Sequence, residues 1–133
     1  MSASFSEPTN GWCLSSNNDL PDWFGGSGLY TSETEAPGAC FQYCQPFMNL
    51  PGFSGVQYNG GNNIGNGYCK CYFDDGYLPS DADRPQGSDS GNEKTGSGPV
   101  LGHNIQGGSP DYGQRCYSYI NYVDPTSQTT QVS

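Results

Sequence analysis

Apolar and polar positions along the chain fall into four patterned stretches separated by long polar intervals. Residues 36–47, APGACFQYCQPF, carry the helical pattern, because Cys40, Cys44 and Phe47 stand at i, i+4 and i+7 and so share one face. Pro37 suits the first turn of that helix, Glu33 and Glu35 complement its positive end, and Pro46 should end it. Residues 53–58, FSGVQY, and 68–73, YCKCYF, are strand-like runs joined by a Gly/Asn loop, and they predict an antiparallel pair. Asp75-Gly76 then suits a tight turn, and residues 114–123, QRCYSYINYV, predict the last strand. The expected fold is therefore α+β, with one short helix packed on an antiparallel sheet with long loops.

The intervals between these stretches set the domain limits. Residues 1–10 are polar and should be flexible, and residues 124–133 form a Ser/Thr/Gln linker without an apolar anchor. Residues 81–98, DADRPQGSDSGNEKTGSG, have almost nothing to bury and should form an exposed acidic loop. The remaining span, 11–123, is read as a single domain containing that loop.

Composition changes this picture by making the core small. Only 32% of the 133 residues are hydrophobic, and 20 glycines and 10 prolines imply many loops, yet 10 tyrosines and 6 phenylalanines keep the chain from reading as disordered. A small core calls for staples, which six cysteines supply. Disulfides persist in oxidising compartments, so the chain is expected to be secreted or on a cell surface. The net charge of -9 opposes nucleic acid and anionic lipid as partners. No run reaches the roughly 20 apolar residues of a membrane span, so no membrane insertion is expected. The start, Met1 to Ser4, lacks the basic and apolar regions of a signal peptide, and the chain is expected to be a mature fragment.

The cysteines form a patterned set. Side chains alternate along a strand, so Cys69, Cys71 and Phe73 share one face of residues 68–73. A helix offering Cys40 and Cys44 and a strand offering Cys69 and Cys71 match as two helix-to-strand bridges, with the individual pairs left open. A third bridge between Cys13 and Cys116 would close a loop contributing about 4 to 5 kcal/mol in the chain-entropy account. Six cysteines allow about fifteen connectivities, and the spacing alone does not choose among them. A zinc site built from CxxxC and CxC would leave Cys13 and Cys116 unexplained and departs from the usual CxxC knuckle, so no metal is expected there.

The order Cys13, ACFQYCQPF, GFSGVQY, GYCKCYFDDG and RCYSYINY resembles the PAN/apple domain family over roughly residues 11–123. That family pairs a short two-cysteine helix with an aromatic strand and a cysteine strand, and joins its first and last cysteines, a pair that Cys13 and Cys116 match. The chain departs from the pattern where Phe53 stands in place of a cysteine commonly found before the aromatic strand, and where Cys71 joins Cys69 in a CxC strand. This variant is similar to cysteine-rich secreted proteins of microbial eukaryotes. The resemblance implies a binding module for carbohydrate or extracellular protein, with no catalytic residue to carry over and no cofactor.

Other chemistry in the sequence is thin. His103 sits in a glycine-rich stretch without a nucleophile motif, so the chain is expected not to be an enzyme. Asp74, Asp75, Asp81, Asp83 and Asp89 invite a calcium reading, but an EF-hand register from Asp81 puts Gln86 where glycine is required. No Asn-x-Ser/Thr sequon occurs. If Cys69, Cys71 and Phe73 point inward, then Tyr68, Lys70 and Tyr72 point outward, and inward parity for Cys116 sends Tyr117 and Tyr119 to the same outer face. These five residues form the predicted ligand-binding stripe, for a glycan or an extracellular protein. The alternative is a structural building block of an extracellular coat, fibre or matrix, acting through self-association.

Overall fold

The computed structural model describes residues 5, 9–10, 22–61, 66–74, 77–91 and 112–119. Six strands form one antiparallel sheet: β1 (Thr9–Asn10), β2 (Asp22–Gly26), β3 (Phe53–Gly61), β4 (Cys69–Phe73), β5 (Asp89–Gly91) and β6 (Tyr112–Ser118). Their spatial order is β1-β6-β3-β4-β2-β5. Among the described residues, a single α-helix, α1 (Ala36–Cys44), lies against β3 and β4 and passes directly into a 3-10 turn at Gln45–Phe47. The architecture is a small disulfide-containing α+β domain.

The helix and the central strands follow the pattern of the sequence. Pro37 sits in the first turn of α1, where its missing N–H costs nothing, and Pro46 falls inside the 3-10 turn that closes it. Cys40 and Cys44 are fully buried, and the bridges are Cys40–Cys69 and Cys44–Cys71, with Cα separations of 5.3 and 5.7 Å. Two bridges one helical turn apart fix the rotation of α1 as well as its distance from β4. Around them pack Phe24, Phe53, Val56 and Phe73, each at most 1% exposed. Burying such a side chain stabilises the fold by roughly 1.5 to 3 kcal/mol.

Several details depart from expectation. Glu35 is the N-cap residue of α1 but makes no side-chain capping bond. The Glu35 carboxylate accepts from the Thr31 N–H at 3.0 Å and the Thr31 hydroxyl at 3.2 Å, and Glu33 lies 3.6 Å from Arg115 of β6. The sequence pattern predicts no strand at DWFGG, whose two glycines lower β-propensity, yet β2 pairs with both β4 and β5. Residues 81–98 are not wholly a loop, since β5 adds a strand to the sheet and buries Gly91. Residues 1–10 are not wholly loose either. Phe5 is 7% exposed and bridges Tyr119, and β1 pairs with β6. The Asp75-Gly76 turn and the linker at 124–133 lie outside the described residues.

Tyr30 locks the lead-in to α1. Its hydroxyl donates to the Tyr68 carbonyl at 2.8 Å and accepts from the Asn59 N–H at 2.8 Å, tying this loop to the ends of β3 and β4. The turn opposite it needs Gly67, whose φ of +71° suits glycine and whose absent side chain leaves room for the Tyr30 backbone.

Candidate functional site

On the helix side, the bridges turn Cys40 and Cys44 inward and leave the flank bearing Phe41, Gln42 and Gln45 towards the sheet's β6 margin. Phe41 stacks on Phe5 with ring centroids 4.6 Å apart and meets Tyr117 edge-on at 4.8 Å. Tyr119 packs edge-on against Phe53 at 4.9 Å, held in place by its backbone N–H, which donates to the Ser54 carbonyl at 3.0 Å. Between these rings and the end of α1 runs an open groove of about 660 Å³. Phe5, Phe41 and Tyr119 supply its aromatic lining, and Gln42, Gln45 and Asn49 supply its carboxamides. Pro46 and Met48 complete the described lining, and none of these side chains is charged at neutral pH.

The opposite face of the sheet holds a second cluster. Tyr72 is fully buried there, and its hydroxyl donates to Oε1 of Gln57 at 2.9 Å. The Lys70 ammonium sits 4.1 Å from the centroid of the Trp23 ring, a cation–π contact across the β2–β4 pair. Tyr68 meets Trp23 edge-on at 6.2 Å and donates to the Asp89 carboxylate at 3.1 Å. Gly25 makes that arrangement fit, because a Cβ there would come within 2.8 Å of the Tyr68 ring. Burial first, and then the Asp89 charge, push the Tyr68 phenol well above the usual tyrosine range. Tyr58, on the helix side, is also pushed well up, by burial and then by neighbouring Tyr117.

The predicted tyrosine stripe is therefore divided between two faces. Tyr68 and Lys70 lie on the side opposite the helix, half-buried, with Tyr72 beneath the surface rather than on it. Tyr117 and Tyr119 lie on the helix side. The parity of β6 is the reverse of that expected: Val56, which faces the helix, pairs with Tyr117, and Gln57, which faces away, pairs with Cys116. The expectation took Cys116 to point toward the helix, whereas it is fully buried beside Tyr72 on the other face. Cys116 is disulfide-bonded, and its expected partner Cys13 lies outside the described residues, as does His103.

Four residues of these clusters are not singled out by the sequence pattern. Phe41 and Gln42 follow Cys40 directly, so a helix pinned by Cys40 and Cys44 must present them on its flank, and that signal was available. Phe5 lies in the segment expected to be flexible and Trp23 in a part of the domain with no predicted element, and nothing local marks either. Among the described residues, no group of three or more His, Cys, Asp or Glu side chains converges to hold a metal. No described helix is long and apolar enough to cross a membrane. No protein-family model matches the sequence, no curated protein matches it, and no solved structure matches the chain.

Proposed function

We propose that the chain is an extracellular, non-catalytic binding module for carbohydrate or protein ligands, of the PAN/apple-like kind. The observation that carries this reading is the groove beside α1, where half-exposed rings and carboxamides border a recess of ligand size on a disulfide-clamped frame. Carboxamides donate and accept hydrogen bonds but do not exchange protons near neutral pH, which suits recognition rather than acid–base chemistry. The two bridges support an oxidising location. The order of the cysteines, with a two-cysteine helix joined to a cysteine strand, supports the family reading.

The test is a screen of the disulfide-intact chain against a glycan array and a panel of extracellular proteins, with small-angle scattering over a concentration series. Saturable binding by a monomer is expected. Concentration-dependent assembly with no ligand in either screen would favour the building-block alternative instead.

A further inference from the structure

Resting on the binding-module reading, we infer that the groove beside α1 is a subsite for an uncharged saccharide. Gln42, Gln45 and Asn49 recur at three- and four-residue spacing through α1, the 3-10 turn and the residues after it, so their carboxamides line one recess. Each offers donors and an acceptor, the combination that adjacent sugar hydroxyls require. Phe41 and Tyr119 border the same recess as half-exposed rings. An aromatic ring suits the apolar C–H face of a pyranose, as it suits other amphipathic ligands.

Charge selects within the sugars. An acidic or sulfated saccharide would need a cation, and no Lys, Arg or His is among the described residues that line the groove. The chain's net charge of -9 would repel such a ligand further. A divalent cation would need carboxylates, and none is among those described lining residues. The recess offers a neutral hexose oligomer both kinds of contact it makes, hydroxyl to carboxamide and ring face to ring face.

The experiment is a ¹H–¹⁵N titration of the full, disulfide-intact chain. One arm uses neutral gluco-, manno-, xylo-, galacto- and N-acetylglucosamine oligosaccharides, and the other uses sulfated and uronic-acid oligosaccharides and the protein hits of the screen. At least one neutral oligosaccharide should shift the side-chain NH₂ signals of Gln42, Gln45 and Asn49 saturably and without dependence on salt. The exposed substitution Gln45→Ala should weaken that binding about tenfold, the loss of one well-made hydrogen bond, with unchanged thermal stability. Groove signals that move only with acidic sugars or a protein would overturn the uncharged-saccharide assignment while leaving the binding reading intact. Neutral binding that shifts only Trp23, Tyr68 and Lys70 would place the subsite on the other face and overturn the groove. Silence in every arm would end both.

Discussion

Alternate residues of β4 serve two different kinds of cohesion. Cys69, Cys71 and Phe73 face α1, where two covalent bridges and a layer of phenylalanine rings fix the helix. Lys70 and Tyr72 face the other way, where a phenol–carboxamide hydrogen bond and a cation–π contact link β4 to its neighbours. The helix side has two bridges that constrain the unfolded chain, whereas the far side, where disulfide-bonded Cys116 is buried beside Tyr72, adds polar and cation–π contacts that exist only when folded. A recess whose walls must keep their spacing is better placed on the first side, and the groove is found there.

The largest expected effect follows from removing that constraint. Each bridge closes a loop of similar length, with sequence separations of 29 and 27, and each should contribute about 3 to 4 kcal/mol. Reduction of the chain should therefore unfold it at ordinary temperature, seen as loss of near-ultraviolet circular dichroism. A reduced chain that kept its near-ultraviolet signal would show that the aromatic layer, not the bridges, holds the helix.

A smaller effect is expected on the far side. Tyr72→Ala should cost about 3 to 5 kcal/mol through the cavity it leaves in a fully buried position. Tyr72→Phe, which keeps the ring and removes the hydroxyl that donates to Gln57, should cost about 1 to 2 kcal/mol. Urea titration of both variants measures the two. If Tyr72→Ala cost no more than a surface substitution, the far side would be a surface after all, and the comparison between faces would collapse.

How far the sequence revealed this arrangement differs by region. The helix, the central strands and the helix-to-strand grouping of Cys40 and Cys44 with Cys69 and Cys71 follow from spacing alone, because i, i+4 on a helix and i, i+2 on a strand each leave one geometry. β6 was legible as a strand but not in its facing. Alternation is symmetric, and choosing the inward set by its cysteine gave the wrong parity, since Cys116 serves the other face. Had the inward set been chosen by its large aromatic residues, Tyr117 and Tyr119 would have been placed beside Phe41 and Phe53. β2 and β5 were hidden for another reason. Both bear glycine, and their pairing depends on partners distant in sequence, with Trp23 of β2 opposite Tyr72 on one side and Gly91 of β5 on the other.

Titration of tyrosine extends the comparison across both faces. The phenols of Tyr58 on the helix side and Tyr68 on the far side are both pushed up, first by burial, so the folded chain holds protons that the unfolded chain releases near about pH 10. The folded state then binds more protons than the unfolded one, so their contribution is complete below about pH 10 and is lost as pH rises above it. Urea midpoints should fall progressively above that pH. Absorbance at the phenolate band should show part of the tyrosine titrating late, and that fraction should vanish in denaturant. Simultaneous ionisation of every tyrosine at the unfolded value would mean that neither environment shields its phenol.

The smallest effect concerns Lys70 and Trp23, which test whether the far side contributes beyond Tyr72. Both side chains are half-buried, and the ammonium lies 4.1 Å from the ring centroid, near enough for the ring's negative face to attract it. Lys70 also carries a long aliphatic stem, so a simple truncation would mix lost packing with lost charge. A double-mutant cycle with Lys70→Met and Trp23→Leu separates the two, because methionine retains much of the stem without the charge. The coupling should be about 0.5 to 1 kcal/mol, and it should change little with salt, since the ring carries no net charge to screen. A coupling near zero would leave the far side's cohesion to the Tyr72–Gln57 pair and the packing around Cys116. A coupling as large as the loss in Tyr72→Ala would make this face as strongly specified as the side the disulfides clamp.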